Sequence, residues 1–213
     1  MLKLSLIVAG LSVATITAIT ACGTSTQNPT PTTSPSNNSS SSSPTNSAAS
    51  SANSSSNATS TKTVSLTMKM ETGKMDGKKG WPKFSPADTT LPANAVMTVT
   101  VLNYDDGNAT IPSGDNKVTG TINTDMTVDG KTVTSVKTAD VAHTITIPSI
   151  GLNVPIPVRS STEKYNTITF SFKTPSTPGQ LDWQCMASCG SGSSGWGGAM
   201  STDGWMKGVF TVK

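Results

Sequence analysis

The chain of 213 residues has a single histidine, His143, and only three cysteines. With one imidazole and no Gly-x-Ser-x-Gly elbow, a Ser-His-Asp hydrolase has no support in the sequence. Residues 190–195, Gly-Ser-Gly-Ser-Ser-Gly, look like a phosphate cradle by composition alone. They lack the lysine and the strand–loop–helix setting of a nucleotide site. Charge is scarce too: the net value is +3, too small to argue for nucleic acid or acidic substrates. An enzyme in its own right is not expected.

The N-terminus carries a targeting pattern. One lysine in Met1-Leu2-Lys3 precedes an apolar stretch diluted with Ser and Thr, ending in Ile19-Thr20-Ala21-Cys22-Gly23. That order reads as a secretory signal over residues 1–21. The small residues before the cysteine resemble the bacterial lipoprotein box, in which Cys22 is lipidated and becomes the mature N-terminus. An uncleaved anchor is the rival, weakened by a length only just sufficient to span a bilayer and by its threonines. Both readings place the remainder outside the cytoplasm, tethered to the cell membrane at the surface or in a periplasm. From residue 23 to Lys62 the chain is almost entirely Ser, Thr, Asn, Pro and Ala, with no aromatic and no charge before Lys62. Such a segment buries too little apolar surface to offset its ordering entropy, so residues 22–62 are expected to form a disordered stalk. Its reach as a flexible chain is roughly 35 Å.

Residues 63–213 make about one domain. Strand signals recur there with turns between them. Val64, Leu66, Met68 and Met70 alternate on one face of residues 63–71, as do Met97, Val99 and Val101 in 95–103. Residues 126–133 read as a hairpin around Asp129-Gly130, which suits a type I′ turn. Residues 141–147, 167–173, 181–185 and 208–213 supply further strands. No window shows a helical period. The fold class expected is all-β, an antiparallel sandwich or barrel of about seven or eight strands. Residues 150–158 are apolar but broken by Pro155 and Pro157, and so are expected as an extended loop packed on the sheet.

Once Cys22 is assigned to lipid, Cys185 and Cys189 remain as a pair. Outside the cell such a pair is either a disulfide or held by metal. Together with His143 and Met200, the two thiols form a soft donor set that suits copper better than a hard cation. The disulfide alternative would close a short loop and add about 2–3 kcal/mol. His143, in a row with Val141, Ile145 and Ile147, also reads as a half-buried histidine bonded to backbone. Met68, Met70 and Met75 offer a second thioether cluster, for which core packing is the competing account.

The run Trp183-x-Cys185-x-x-x-Cys189-Gly190 resembles the ligand loop of the cupredoxins, and among them the copper domain of cytochrome c oxidase subunit II. Asn103-Tyr104-Asp105 resembles the Asn-x-Asp that ends an earlier cupredoxin strand, and 143–147 resembles the strand of the first histidine. Pro178-Gly179 resembles the turn into the final ligand strand, while residues 113–140 look like an added hairpin. The resemblance implies a Greek-key cupredoxin-like domain that binds copper, for electron transfer or copper handling near a respiratory chain. It implies His143 as nitrogen ligand, Cys185 and Cys189 as thiolates, Met200 as weak axial donor, and a redox or copper-transfer protein as partner. The family's second histidine is missing. At its spacing stand Ser193 and Trp196, and a four-residue insertion that restores Met200 puts Gly197 there instead. A two-histidine blue-copper site and the usual dinuclear centre are thereby excluded for this chain alone. A metal-free binding module, or an accessory oxidase subunit whose missing ligand comes from another protein, are the remaining alternatives.

Overall fold

The structure is a computed structural model and describes residues 62–213. The expectations for the signal, the lipidated Cys22 and the stalk fall outside these residues, save Lys62 itself. Eleven strands form among the described residues, and no helix there is long and apolar enough to cross a membrane. One sheet has six strands, in the order β2 (Lys83–Ser85), β1 (Thr63–Glu71), β4 (Val96–Asn103), β9 (Asn166–Lys173), β5 (Met126–Val128), β6 (Lys131–Val133). The other has five, in the order β3 (Thr89–Leu91), β11 (Lys207–Val212), β10 (Gly179–Gln184), β7 (Val141–Ile147), β8 (Leu152–Pro157). The chain forms the all-β sandwich that its alternating pattern predicts, but not a wholly antiparallel one: β1 pairs with β4, and β3 with β11, in parallel.

Alternation shows how the sheets meet. Met97, Val99 and Val101 of β4 are buried and stand opposite Phe172, Phe170 and Ile168 of β9. Met68 and Met70 of the neighbouring β1 are wholly buried on the same side. The facing sheet contributes Ile145, Ile147, Leu181, Trp183 and Phe210. Each such side chain contributes about 1.5–3 kcal/mol by leaving water. Met68 and Met70 are therefore core, and Met75, half exposed, is separated from them. The predicted hairpin forms, with Asp129 at φ 49° and Gly130 at φ 79°, as a type I′ turn requires.

Three strands go beyond the seven or eight expected: β2 and β3, of three residues each, and β8. The last corrects the expectation of a loop over residues 150–158. Proline removes a ladder donor, which a strand tolerates at the rim of a sheet, and β8 is an edge strand paired with β7. The 113–140 insertion covers part of its outer side, with Thr119 and Asn153 exchanging backbone hydrogen bonds. An edge strand protected in this way does not template pairing with another chain.

The sheets are also joined at one corner by a side chain. Thr174, just after β9 and 2% exposed, accepts a hydrogen bond from Ala95 N at 2.9 Å and donates to Pro92 O at 2.7 Å. Thr174→Val keeps the shape and strands the Ala95 N–H. A loss of about 1–3 kcal/mol is expected, read as a lower denaturant midpoint with unchanged slope.

Candidate metal centre

His143 is placed by an irregularity in β7. Val141 pairs with Pro157 and His143 with Ile156, so β7 carries one residue more than β8 across that step. A bulge of this kind bends a strand and re-aims its side chains. The imidazole is 1% exposed, and Phe84 meets it edge-on at 6.0 Å between centroids. Nε2 lies 3.0 Å from Asp105 Oδ2, and Nδ1 lies 4.0 Å from Cys185 Sγ.

Asp105 is held by the end of β4. Asn103, fully buried, accepts from Asp105 N at 3.0 Å and donates through Nδ2 to Asp105 O and to Pro157 O of β8. The other carboxylate oxygen of Asp105 accepts from Gly107 N at 2.9 Å. Burial alone would raise the Asp105 pKa, but the hydrogen bond and charge of His143, together with the backbone N–H groups of Gly107 and Asp106, outweigh it and hold the carboxyl below its usual value.

The sulfur side is built from the end of β10. Trp183 is buried and donates Nε1–H to Ala87 O at 2.7 Å. Its partner across the ladder is Gly208, where a Cβ would come within 2.3 Å of Ala87 O and 2.8 Å of Trp183 Nε1. Cys185 follows, with its sulfur 3.4 Å from the donating Thr144 N and 3.7 Å from Cys189 Sγ. Cys189 Sγ is in turn 3.3 Å from Sδ of the buried Met200. Ligand atoms of His143, Cys185 and Cys189 all lie within 4.8 Å of one another. The structure thus gathers the four residues that the sequence singles out. Both cysteines are free thiols in this structure, with their sulfurs 3.7 Å apart.

Electrostatics divide the labour within this cluster. Burial opposes charge on His143, yet hydrogen bonds with Asp105 and Cys185 win and hold its pKa up to about 9. Burial likewise opposes a Cys185 thiolate, but hydrogen bonds from Cys189 and His143 hold that thiol well below its ordinary value. The Cys189 thiol, hydrogen-bonded to that sulfur and largely buried, is pushed far up. The two shifts run in opposite directions, favouring the thiolate at Cys185 and the protonated thiol at Cys189.

The Gly/Ser loop after Cys189 is an ordered small hairpin. Ser191 and Gly197 exchange backbone hydrogen bonds at 3.0 and 2.9 Å, and Gly190 N donates to Gly195 O at 2.7 Å. Trp196 is exposed, and Gly197, where the resemblance with a four-residue insertion would put a second histidine, has no side chain to offer. Asp105 is the functional residue the sequence left unassigned. Its Asn-x-Asp signal was visible, but nothing local pairs it with a histidine 38 positions away.

A histidine on an inner strand of a two-sheet sandwich faces a cysteine loop between the last two strands. No family model matches the sequence, and no curated protein does either. Among solved structures, reduced rusticyanin is 18% identical at a TM-score of 0.36, over 72% of this chain and 81% of that one. Rusticyanin from Thiobacillus ferrooxidans is 17% identical at 0.36, over 72% and 79%. The copper-containing nitrite reductase from Thermus scotoductus SA-01 is 12% identical at 0.34, over 71% of this chain. This chain spans 31% of that reductase.

Gly190 sets the loop's path. A Cβ there would lie 2.2 Å from Gly197 O and 2.7 Å from Met200 Cγ. Gly190→Ala is expected to destabilise the reduced domain by about 1–3 kcal/mol through overpacking. Chemical denaturation checks the stability, and amide exchange at residues 190–198 is expected to show the loss there first.

Proposed function

We propose that this chain binds copper through His143 Nδ1, the Cys185 and Cys189 thiolates and Met200 Sδ, and serves in electron transfer or copper handling. The observation that carries this reading is the cluster itself: one imidazole nitrogen and two thiols within 4.8 Å, with a thioether 3.3 Å from one of them. All four donors are nitrogen or sulfur, which favours Cu(I) and disfavours hard cations. Asp105 supports the assignment. A metal-bound histidine normally donates its other ring N–H to a carboxylate, which fixes the tautomer and the ring plane, and Nε2 faces such a carboxylate. The thiolate character of Cys185 also suits a metal ligand.

The targeting pattern extends the proposal. A lipid on Cys22 and the Ser/Thr-rich stalk would hold this domain outside the cytoplasm, at the membrane, where a redox or copper-transfer protein is its partner. The likeness to the oxidase subunit rests on the 183–190 run, and a place beside a respiratory oxidase belongs to this proposal. One observation favours the metal-free alternative. The two sulfurs stand 3.7 Å apart and the chain has no second imidazole, so an oxidised pair is the competing resting state.

Anaerobic titration of the reduced full chain with Cu(I), followed by desalting, tests the reading. One retained copper per chain is expected, lost when Cys185 and Cys189 are both replaced by Ser. Retention unchanged in that double variant would sink it. A visible thiolate-to-copper band after mild oxidation favours electron transfer, and a colourless site that resists oxidation favours copper handling. Asp105→Asn is expected to weaken copper affinity by about 10–100-fold while the fold persists.

Proton release provides a separate check. Below pH about 9, His143 carries a proton that ligation at Nδ1 must displace, and Cys189 carries another. Binding is therefore expected to release about two protons per Cu(I) at neutral pH, and affinity to rise with pH. A pH-stat titration counts them.

A further inference from the structure

Beside the metal centre lies an open cavity of about 750 Å³ that its chemistry does not require. Cys189, Asp105, Met75, Lys74 and Lys79 are among the residues that line it. Met75 is 50% exposed, unusual for a large apolar side chain, and it belongs to no core cluster. The turn bearing it is firmly built: Met75 N donates to Thr72 O at 2.8 Å and Lys78 N to Gly73 O at 2.7 Å. At Gly73 a Cβ would lie 2.1 Å from Lys78 O, so the turn closes tightly. The cations around this rim differ in availability. Arg159 is bound to Asp106 at 2.7 Å, and Lys78 sits 3.1 Å from the centroid of the Trp81 ring. Among the described residues Lys74 and Lys79 make no ion pair.

From this arrangement we infer that the cavity is the loading port of the copper centre, where Met75 captures Cu(I) arriving as an anionic complex of a small thiol and passes it to Cys189. The inference rests on the copper reading above. A thioether is a ligand for Cu(I) and a poor one for hard ions. Two free ammoniums repel a bare cation but attract a complex of net negative charge. A volume of this size suits a small-molecule ligand. Cys189 is the only one of the centre's ligands that lines both places. The step is ligand exchange without change of oxidation state. A copper–sulfur bond to the incoming thiol breaks as one to Met75 Sδ forms. Next, Cys189 Sγ replaces Met75 as a ligand, and the proton it loses goes to the departing thiolate.

Stopped-flow transfer of Cu(I) from its glutathione complex into the reduced full chain tests the port. Met75→Leu is expected to slow loading severalfold and leave the final copper content unchanged. Lys74→Gln with Lys79→Gln is expected to slow transfer from the anionic glutathione complex but not from the cationic acetonitrile complex. Equal rates for wild type and Met75→Leu would overturn the port, as would a lysine variant slowed equally with both donors. Lower final occupancy in Met75→Leu would make Met75 a ligand of the centre and also overturn it. Wild-type protein that takes up no Cu(I) would remove the copper reading and the port together, a result distinct from unchanged rates.

Discussion

The hydrogen bond between His143 and Asp105 joins the two sheets at the end of the sandwich where the sulfurs gather. His143 belongs to β7 in the five-stranded sheet, and Asp105 leaves β4 in the six-stranded one. An imidazole 1% exposed must find a partner for each nitrogen or lose the free energy of its hydration. Asp105 satisfies Nε2, which turns Nδ1 toward Cys185. The carboxylate is itself fixed by Asn103 and Gly107, and Asn103 reaches across to Pro157 on the edge strand. Through these few bonds, the geometry at the sulfurs depends on how the sheets are stacked.

The sulfur side meets a different constraint, that of backbone approaching backbone. Trp183 and Phe210 fill the core beneath the site, and only glycine at 208 lets the Trp183 ring reach Ala87. Above it, Gly190 allows the 190–198 segment to fold back on itself and to seat Met200 beside Cys189. Ordering a stretch of glycine and serine is entropically costly, and the Ser191–Gly197 bridge with its flanking hydrogen bonds offsets part of that cost. The loop is thus held closed by its own backbone.

Strands long enough to show alternation were legible in the sequence. β1, β4, β7 and β9 each run seven residues or more, and their period of two is a local signal. β2 and β3, at three residues, are too short to display a period. β8 misled for another reason: five of its six residues are buried and two are proline, so it shows neither alternation nor ordinary strand composition. Its strand character comes from pairing with β7, which no local pattern records. The site divides the same way. Cys185, Cys189 and Met200 announced themselves by residue type and spacing. The Asp105–His143 pair arises from the stacking of sheets, and β-pairing over such separations is invisible until the chain is folded.

The absent second imidazole shapes what this centre is suited to do. Gly197 stands where the cupredoxin resemblance would put that ligand, and its backbone is tied to Ser191 in both directions, so the segment is committed to the hairpin. Three sulfurs and one nitrogen remain. Cu(II) prefers more nitrogen and a tetragonal arrangement, whereas Cu(I) accepts sulfur in low coordination number. Replacing an imidazole with sulfur therefore biases a site toward the reduced ion. Of the four donors, only Cys189 also borders the open cavity, and its hydrogen bond with Cys185 and its burial push its thiol pKa up. That position suits Cys189 to ligand exchange in the proposed copper site. In the proposed copper site, a donor set of three sulfurs and one nitrogen therefore favours Cu(I) over Cu(II).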